Sequence, residues 1–183
     1  PVAFETKTSA GTIVSDSSDG SVDWVIPGAS SLAENEGGGS GATTYFLVFK
    51  NWSFAIPGGA TIDGYSASLN RSSVNELATD EAIHLVIGDA IQTGVNKSDA
   101  AAWPAVAATK TWGGAADKWS AAPSVAQINA SGWGFVVMAR FPGGRDEDSI
   151  YAISAEMTVY YTAGGGGGVV IPVLMNQYRQ RWK

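Results

Sequence analysis

Ile150-Tyr151-Ala152-Ile153-Ser154-Ala155-Glu156-Met157-Thr158-Val159-Tyr160-Tyr161-Thr162 decides the fold class. Ile153, Ala155, Met157 and Val159 fall on one parity, and Ser154, Glu156 and Thr158 on the other. A two-residue period marks a strand with one face in a core and one in water. Upstream, residues 132–141 form a nearly unbroken apolar run that stops at Pro142-Gly143-Gly144. In residues 82–88, Ile83, Leu85 and Ile87 share one face, which turns His84 to the opposite, solvated or contact face. Residues 91–95 are expected to pair back across Gly88-Asp89 as a hairpin. Residues 45–49 are all apolar or aromatic, the mark of a strand buried on both faces.

The remaining segments extend this β reading. Trp52, Phe54 and Ile56 alternate with Ser53 and Ala55 up to the turn Pro57-Gly58-Gly59. A strand then begins at Thr61. Ile62, Gly64, Ala67 and Leu69 do not keep one parity, which predicts a bulge near Gly64. Thr12-Ile13-Val14 and residues 22–26 read as short strands, the second stopped by Pro27. Trp103-Pro104 argues against a helix through the Ala-rich residues 100–111. Trp112-Gly113-Gly114 reads as a loop, and Ser124 as the N-cap of one helical turn reaching Asn129. Residues 34–42 and 145–149 are loops by composition.

Composition agrees. The chain has 183 residues, 23 of them Gly, no Cys, and only 15% charged residues. Long amphipathic helices need more Glu, Lys and Arg than this, whereas short strands joined by Gly-rich turns fit. The missing Cys excludes disulfide frameworks and common zinc-finger patterns. Net charge is -6, which argues against bulk nucleic-acid binding. Residues 169–183 hold Arg179, Arg181 and Lys183 and no acid, so the remaining chain carries eight bases against 17 acids. No apolar run reaches the roughly 18–20 residues that span a bilayer. The start, Pro1-Val2-Ala3-Phe4-Glu5, lacks the basic and apolar regions of a secretory signal, so synthesis in a cytoplasm without signal-peptide export is expected.

These segments divide the chain into a body over residues 1–163, with residues 1–20 as an N-terminal extension, a glycine linker at 164–168 and an arm at 169–183. Five glycines in a row are too costly in entropy to order within a packed strand. The arm joins apolar Ile171, Val173, Leu174, Met175, Tyr178 and Trp182 to the bases Arg179, Arg181 and Lys183. Those residues are the candidate partner-docking set. Ten or so residues are too few for a stable free helix, so the arm is expected to gain structure against a partner.

Several motifs together resemble a jelly-roll-like β-sandwich family of tailed-phage structural proteins. They are, in order, residues 54–65 (Phe54-Ala55-Ile56-Pro57-Gly58-Gly59-Ala60-Thr61-Ile62-Asp63-Gly64-Tyr65), Trp103-Pro104, Gly113-Gly114-Ala115-Ala116-Asp117-Lys118-Trp119, Ile128-Asn129-Ala130-Ser131-Gly132-Trp133-Gly134-Phe135 and Val159-Tyr160-Tyr161-Thr162. The resemblance covers residues 20–162 and implies an all-β, jelly-roll-like antiparallel sandwich; the extended C-terminal arm lies outside that domain, and its apolar-then-basic ending looks like the tails of virion proteins. It implies a virion protein made in the host cytoplasm, in the first place a head decoration or cement protein. It also implies the major capsid protein or other virion proteins as partners, and a homo-oligomer, by analogy a trimer. It implies no catalytic residues.

The residues themselves offer few sites. His84 stands alone, and no nucleophile, zinc-hydrolase or phosphate-loop motif is present. The sequence therefore predicts no enzyme and no cofactor. Asp16, Asp19 and Asp23, and again Asp146, Glu147 and Asp148, form acidic clusters. Solvated loops are the plain reading and a structural Ca²⁺ the sharper one, although the first cluster lacks the spacing of a calcium loop. Seven tryptophans are many. Trp103, Trp112 and Trp119 are the candidates for glycan or inter-subunit contact, set against packing in the core. The alternative function they suggest is a glycan-binding module of a tail fibre or receptor-binding protein; a tail or neck accessory, which shares the mechanism of a decoration protein, is a further alternative.

Overall fold

The computed structural model describes residues 2–26, 33–35, 41–141 and 149–164. The 165–168 part of the glycine linker, the arm, most of the 34–42 loop and the 145–148 turn lie outside the described residues.

The chain is an antiparallel β-sandwich. One sheet runs β1 (Val2–Lys7), β10 (Ile150–Thr162), β5 (Thr61–Ser73) and β8 (Ala108–Gly114), with β3 (Ala33–Asn35) also on β10. The second runs β2 (Thr12–Asp16), β4 (Phe46–Lys50), β9 (Gly134–Arg140), β6 (Thr79–Ile87) and β7 (Ala90–Gln92). A four-residue helix, α1 (Val125–Ile128), precedes β9. No helix among the described residues is long and apolar enough to cross a membrane.

Alternation builds the core. Tyr65, Ala67 and Leu69 of β5 and Ala155, Met157 and Val159 of β10 face Leu47 and Phe49 of β4, Ile83 and Leu85 of β6, and Phe135 and Val137 of β9. Phe135 stacks between Phe49 and Trp52, at ring distances of 5.0 and 5.9 Å. β4 is buried on both faces, as its unbroken apolar run requires. Phe46 and Val48 join Ala82, Val86, Val136 and Met138 in a second apolar cluster on the outer side of the second sheet.

Residues 2–20 belong to the sandwich instead of extending it. β1 pairs along β10 from Val2 opposite Thr162 to Lys7 opposite Met157, and β2 closes the edge of β4. Ile153 is not a core residue. The ladder shifts between Ala152 and Ser154, so Ile153 is the extra residue of a bulge. The inward set is Ile150 and Ala152 before it and Ala155, Met157 and Val159 after it. The second shift, where Tyr160 faces Gly64 and Tyr161 faces Ile62, is the bulge foreseen near Gly64. A side chain at Gly64 would run into the Gly114 carbonyl, so the close approach requires glycine there.

Residues 52–56 keep their alternation but form no ladder. Asn51 and Ser53 are left-handed, with φ of 62° and 56°, which takes the backbone out of register with any neighbour. Trp52, Phe54 and Ile56 are nevertheless buried. The Asn129 side chain replaces a strand partner: the Ile56 amide donates to its Oδ1, and its Nδ2 donates to the Ile56 carbonyl, both at 2.9 Å. Residues 22–26 likewise make only isolated bridges, at Val22 and Val25. Ser124 caps α1 as expected, in a reciprocal box with Gln127.

Candidate functional site

Trp103, Trp112 and Trp119 offer no stacking platform, which corrects the expectation drawn from their loop-like surroundings. Their exposures are 0%, 4% and 3%. Trp112 lies in β8, not in a loop, and faces inward opposite Ala67. With Trp103 it encloses a buried ion pair between Arg71 and Asp80. Arg71 Nη1 donates to Asp80 Oδ1. Trp103 Nε1 donates to the same oxygen at 2.8 Å and Trp112 Nε1 to Oδ2 at 3.2 Å. The guanidinium carbon lies 4.8 and 5.3 Å from the two ring centroids. Burial lowers the Arg71 pKa from its ordinary value, and the Asp80 charge opposes that shift. Trp119 donates Nε1 to the Tyr65 carbonyl at 3.2 Å, with Lys97 Nζ 5.8 Å from its ring. It walls a cavity of about 460 Å³ beside Ala121 and Pro123 without presenting a free face.

His84 does point away from Ile83 and Leu85, but it is buried instead of solvated. Its Nδ1–H donates to the Val95 carbonyl at 2.8 Å, and its ring meets Phe46 edge-on at 6.2 Å. Asp16 accepts from the Ser18 amide, Asp19 from the Gly20 amide and Asp23 from the Ser15 hydroxyl. Among the described residues no group of three or more His, Cys, Asp or Glu converges to hold a metal. Asp146, Glu147 and Asp148 lie outside the described residues. So do the arm candidates Ile171, Val173, Leu174, Met175, Tyr178, Arg179, Arg181, Trp182 and Lys183.

The arrangement with binding chemistry lies on the outer face of the first sheet. Its strands bring side chains from four parts of the sequence into rows. Phe4 sits opposite Tyr160. Thr6, Thr158 and Ser66 form the next row. Glu156, Ser68 and Thr111 form the third, and Ser154, Asn70 and Thr109 the fourth. Two adjoining hollows of about 360 and 250 Å³ run along these rows and share Ser68, Thr111 and Glu156. Hydroxyls pair across the floor, Thr6 with Thr158 and Ser68 with Thr111, each at 2.8 Å. Ser66, Ser68 and Thr158 are only 7%, 8% and 5% exposed, although they lie on an outward face. The rows form a trough.

Two features distinguish the trough from an ordinary wet sheet face. Asn70 Oδ1 is shielded from solvent and accepts no hydrogen bond, one of two such side-chain atoms among the described residues. A buried acceptor left empty costs about 1–3 kcal/mol. Phe4, 66% exposed, stands at one end with its ring 6.1 Å from that of Tyr160. The lining holds one carboxylate, Glu156, and neither Lys nor Arg. Such a surface offers no counter-charge to phosphate or sulfate, whereas neutral hydroxyl groups match its donors and acceptors. The sequence showed half of this, because Ser154, Glu156 and Thr158 are the polar parity of β10. It did not show that β1, β5 and β8 bring Thr6, Ser68, Asn70 and Thr111 beside them.

No protein-family model and no curated protein matches the chain. Among solved structures it is similar to one described as "CBM4 structure and function", at 11% identity and a TM-score of 0.34, covering 87% of this chain and 92% of that one. It is also similar to the N-terminal cellulose-binding domain from Cellulomonas fimi β-1,4-glucanase C, at 13% identity and a TM-score of 0.29, covering 86% and 84%. At these identities the likeness concerns the sandwich alone.

Proposed function

We propose that the chain is a non-enzymatic glycan-binding module whose ligand lies along the hydroxyl-lined trough of the first sheet. The observation that carries this reading is the empty acceptor Asn70 Oδ1 at the floor of a trough that is otherwise neutral and hydroxyl-bearing. Once the Asn70 side chain turns its amide toward the trough, a sugar hydroxyl donates to that oxygen, and Glu156 accepts from a second. Phe4 and Tyr160 offer apolar area to a sugar face. A virion setting, with the arm holding the module on a tail fibre or another receptor-binding structure, enters through the family resemblance alone.

Glycan arrays followed by calorimetry test the reading. Binding to neutral oligosaccharides is expected, with salt having little effect because no cation lines the trough. Asn70→Ala and Glu156→Ala should each weaken it about tenfold, the worth of roughly one charge-assisted or buried hydrogen bond. Trp112→Phe should leave affinity alone. A folded protein that binds no neutral glycan at millimolar concentration would end the proposal.

A further inference from the structure

Glu156 holds a place in the trough that accepting one hydrogen bond does not explain. It is the single charged group on the lining of both hollows, and it belongs to the row that they share. No ion pair among the described residues includes it. Exposure across the sheet fixes the axis along which a ligand meets it. Ser66, Ser68 and Thr158 on the two central strands are buried, whereas Thr6 on β1 and Thr109 and Thr111 on β8 are exposed. The outer strands are therefore the walls, and a ligand lies parallel to β5 and β10. The ladder between those strands is unbroken from Ser154 to Tyr160, which at about 3.4 Å per residue gives a floor about 20 Å long. Along that floor Glu156 stands about 7 Å from the Ser154 row and about 14 Å from the Tyr160 row.

We propose that Glu156 is the charge filter of this site: it passes neutral sugar units and turns away acidic ones, uronates above all, over the part of the trough that its charge reaches. The inference rests on the glycan-binding reading above. A carboxylate on a half-buried floor, surrounded by hydroxyls and no cation, repels a second carboxylate more strongly than open water would allow, because little solvent separates the two. A neutral unit meets no such penalty and donates a hydroxyl to the same oxygens. Specificity then comes from repelling the wrong ligand as well as from holding the right one. The repulsion is also local, since at physiological ionic strength charges more than about 8 Å apart are largely screened. An acidic unit beside Glu156 or at the Ser154 end is rejected, while one at the Phe4 end is tolerated.

Calorimetry tests this with a neutral oligosaccharide that the full chain binds and with its derivatives oxidised at C6 of one unit at a time. Each oxidation replaces a CH2OH group by a carboxylate and leaves the rest of the ligand unchanged. At physiological salt, oxidation of an internal unit should weaken binding about tenfold or more, the usual scale of a like-charge contact. Oxidation of one of the two terminal units should weaken it less than about twofold, because that charge lies beyond the screening length. Glu156→Gln keeps the shape of the side chain and should bring the internal penalty below about threefold, the repulsion being gone. For the parent chain, about 1 M salt should shrink the internal penalty as well, a readout that needs no variant. Internal derivatives bound as tightly as the neutral ligand would overturn the proposal. So would a penalty that survives Glu156→Gln or is unmoved by salt, and so would an equal loss at every unit, which desolvation of the added charge alone would give. Failure to bind any neutral glycan would remove the reading beneath the filter, whereas neutral binding without discrimination would remove the filter alone.

Discussion

The two outward faces of this sandwich are opposites. On the first sheet the outward positions are Thr6, Ser66, Ser68, Asn70, Thr111, Glu156 and Thr158, and they bond to one another. On the second they are Phe46, Val48, Ala82, Val86, Val136 and Met138, and they pack as an apolar cluster. Both sets lie on five-stranded antiparallel sheets that share one core. The difference teaches that alternation marks which residues share a face, while the chemistry of the outward set marks what that face is for. A hydroxyl grid suits a small, hydrated ligand. The apolar set is itself almost fully buried and acts as a second, smaller core.

The layer between the faces supports both, so its loss should have the largest effect. Asp80→Ala would leave the Arg71 charge buried without its carboxylate and remove the acceptor of the Trp103 and Trp112 indoles. A loss of about 3–5 kcal/mol is expected, the usual cost of breaking a buried pair from one side, read as a lowered urea midpoint. Arg71→Met combined with Asp80→Leu should recover a large part of it, because no unpaired charge then remains. A double variant no more stable than Asp80→Ala would show that the orphaned indole N–H groups, and not the unpaired charge, carry the loss.

The faces themselves are separated by exchanging one group between them. Val136→Thr places a hydroxyl on the outer face of the second sheet at a fully buried position. It should cost about 1–3 kcal/mol for a polar group without a partner. Thr158→Val makes the reverse change on the first sheet and removes the bond to Thr6. Thr6 is exposed to water, so the loss should stay near 0.5–1 kcal/mol. Equal costs in denaturant melts would erase the distinction drawn here.

These residues also show what the sequence made legible. The alternation of residues 150–162, the double burial of β4, the Ser124 cap and the Gly64 bulge were all readable, because each rests on local periodicity or backbone chemistry. Trp112 was misplaced because Gly113-Gly114 imitates a turn, although β8 runs to Gly114. Ile153 was assigned inward because a bulge shifts parity without leaving a compositional trace. The trough was legible only as single polar parities. Asn70 and Glu156 are 86 positions apart by number in the chain, and only strand order brings them together. The Trp residues attracted attention by size, yet size is also why the core took them.

The smallest effect concerns a tie between the sheets at their edge. Asp99 follows the second sheet's β7, and Lys110 lies in the first sheet's β8; Lys110 Nζ donates to Asp99 Oδ2. That bond holds the Asp99 carboxyl below its ordinary pKa, against the opposing effect of partial burial, with help from the Ala101 amide and the charges of Lys110 and Arg71. A carboxylate whose pKa is depressed in the folded state binds its proton more readily when unfolded. Its contribution is therefore complete above the ordinary carboxylate pKa and disappears as pH falls through the depressed folded value. Both side chains are substantially exposed, at 33% and 42%, so water and salt screen the pair and the contribution should stay within about 0.2–1 kcal/mol. Lys110→Met should lower the urea midpoint slightly at pH 7. The gap to the parent chain should narrow as pH drops below the ordinary carboxylate range, and 1 M salt at pH 7 should shrink it too. A gap that held constant with pH and salt would mean that Lys110 acts there through its methylene stem and not its charge.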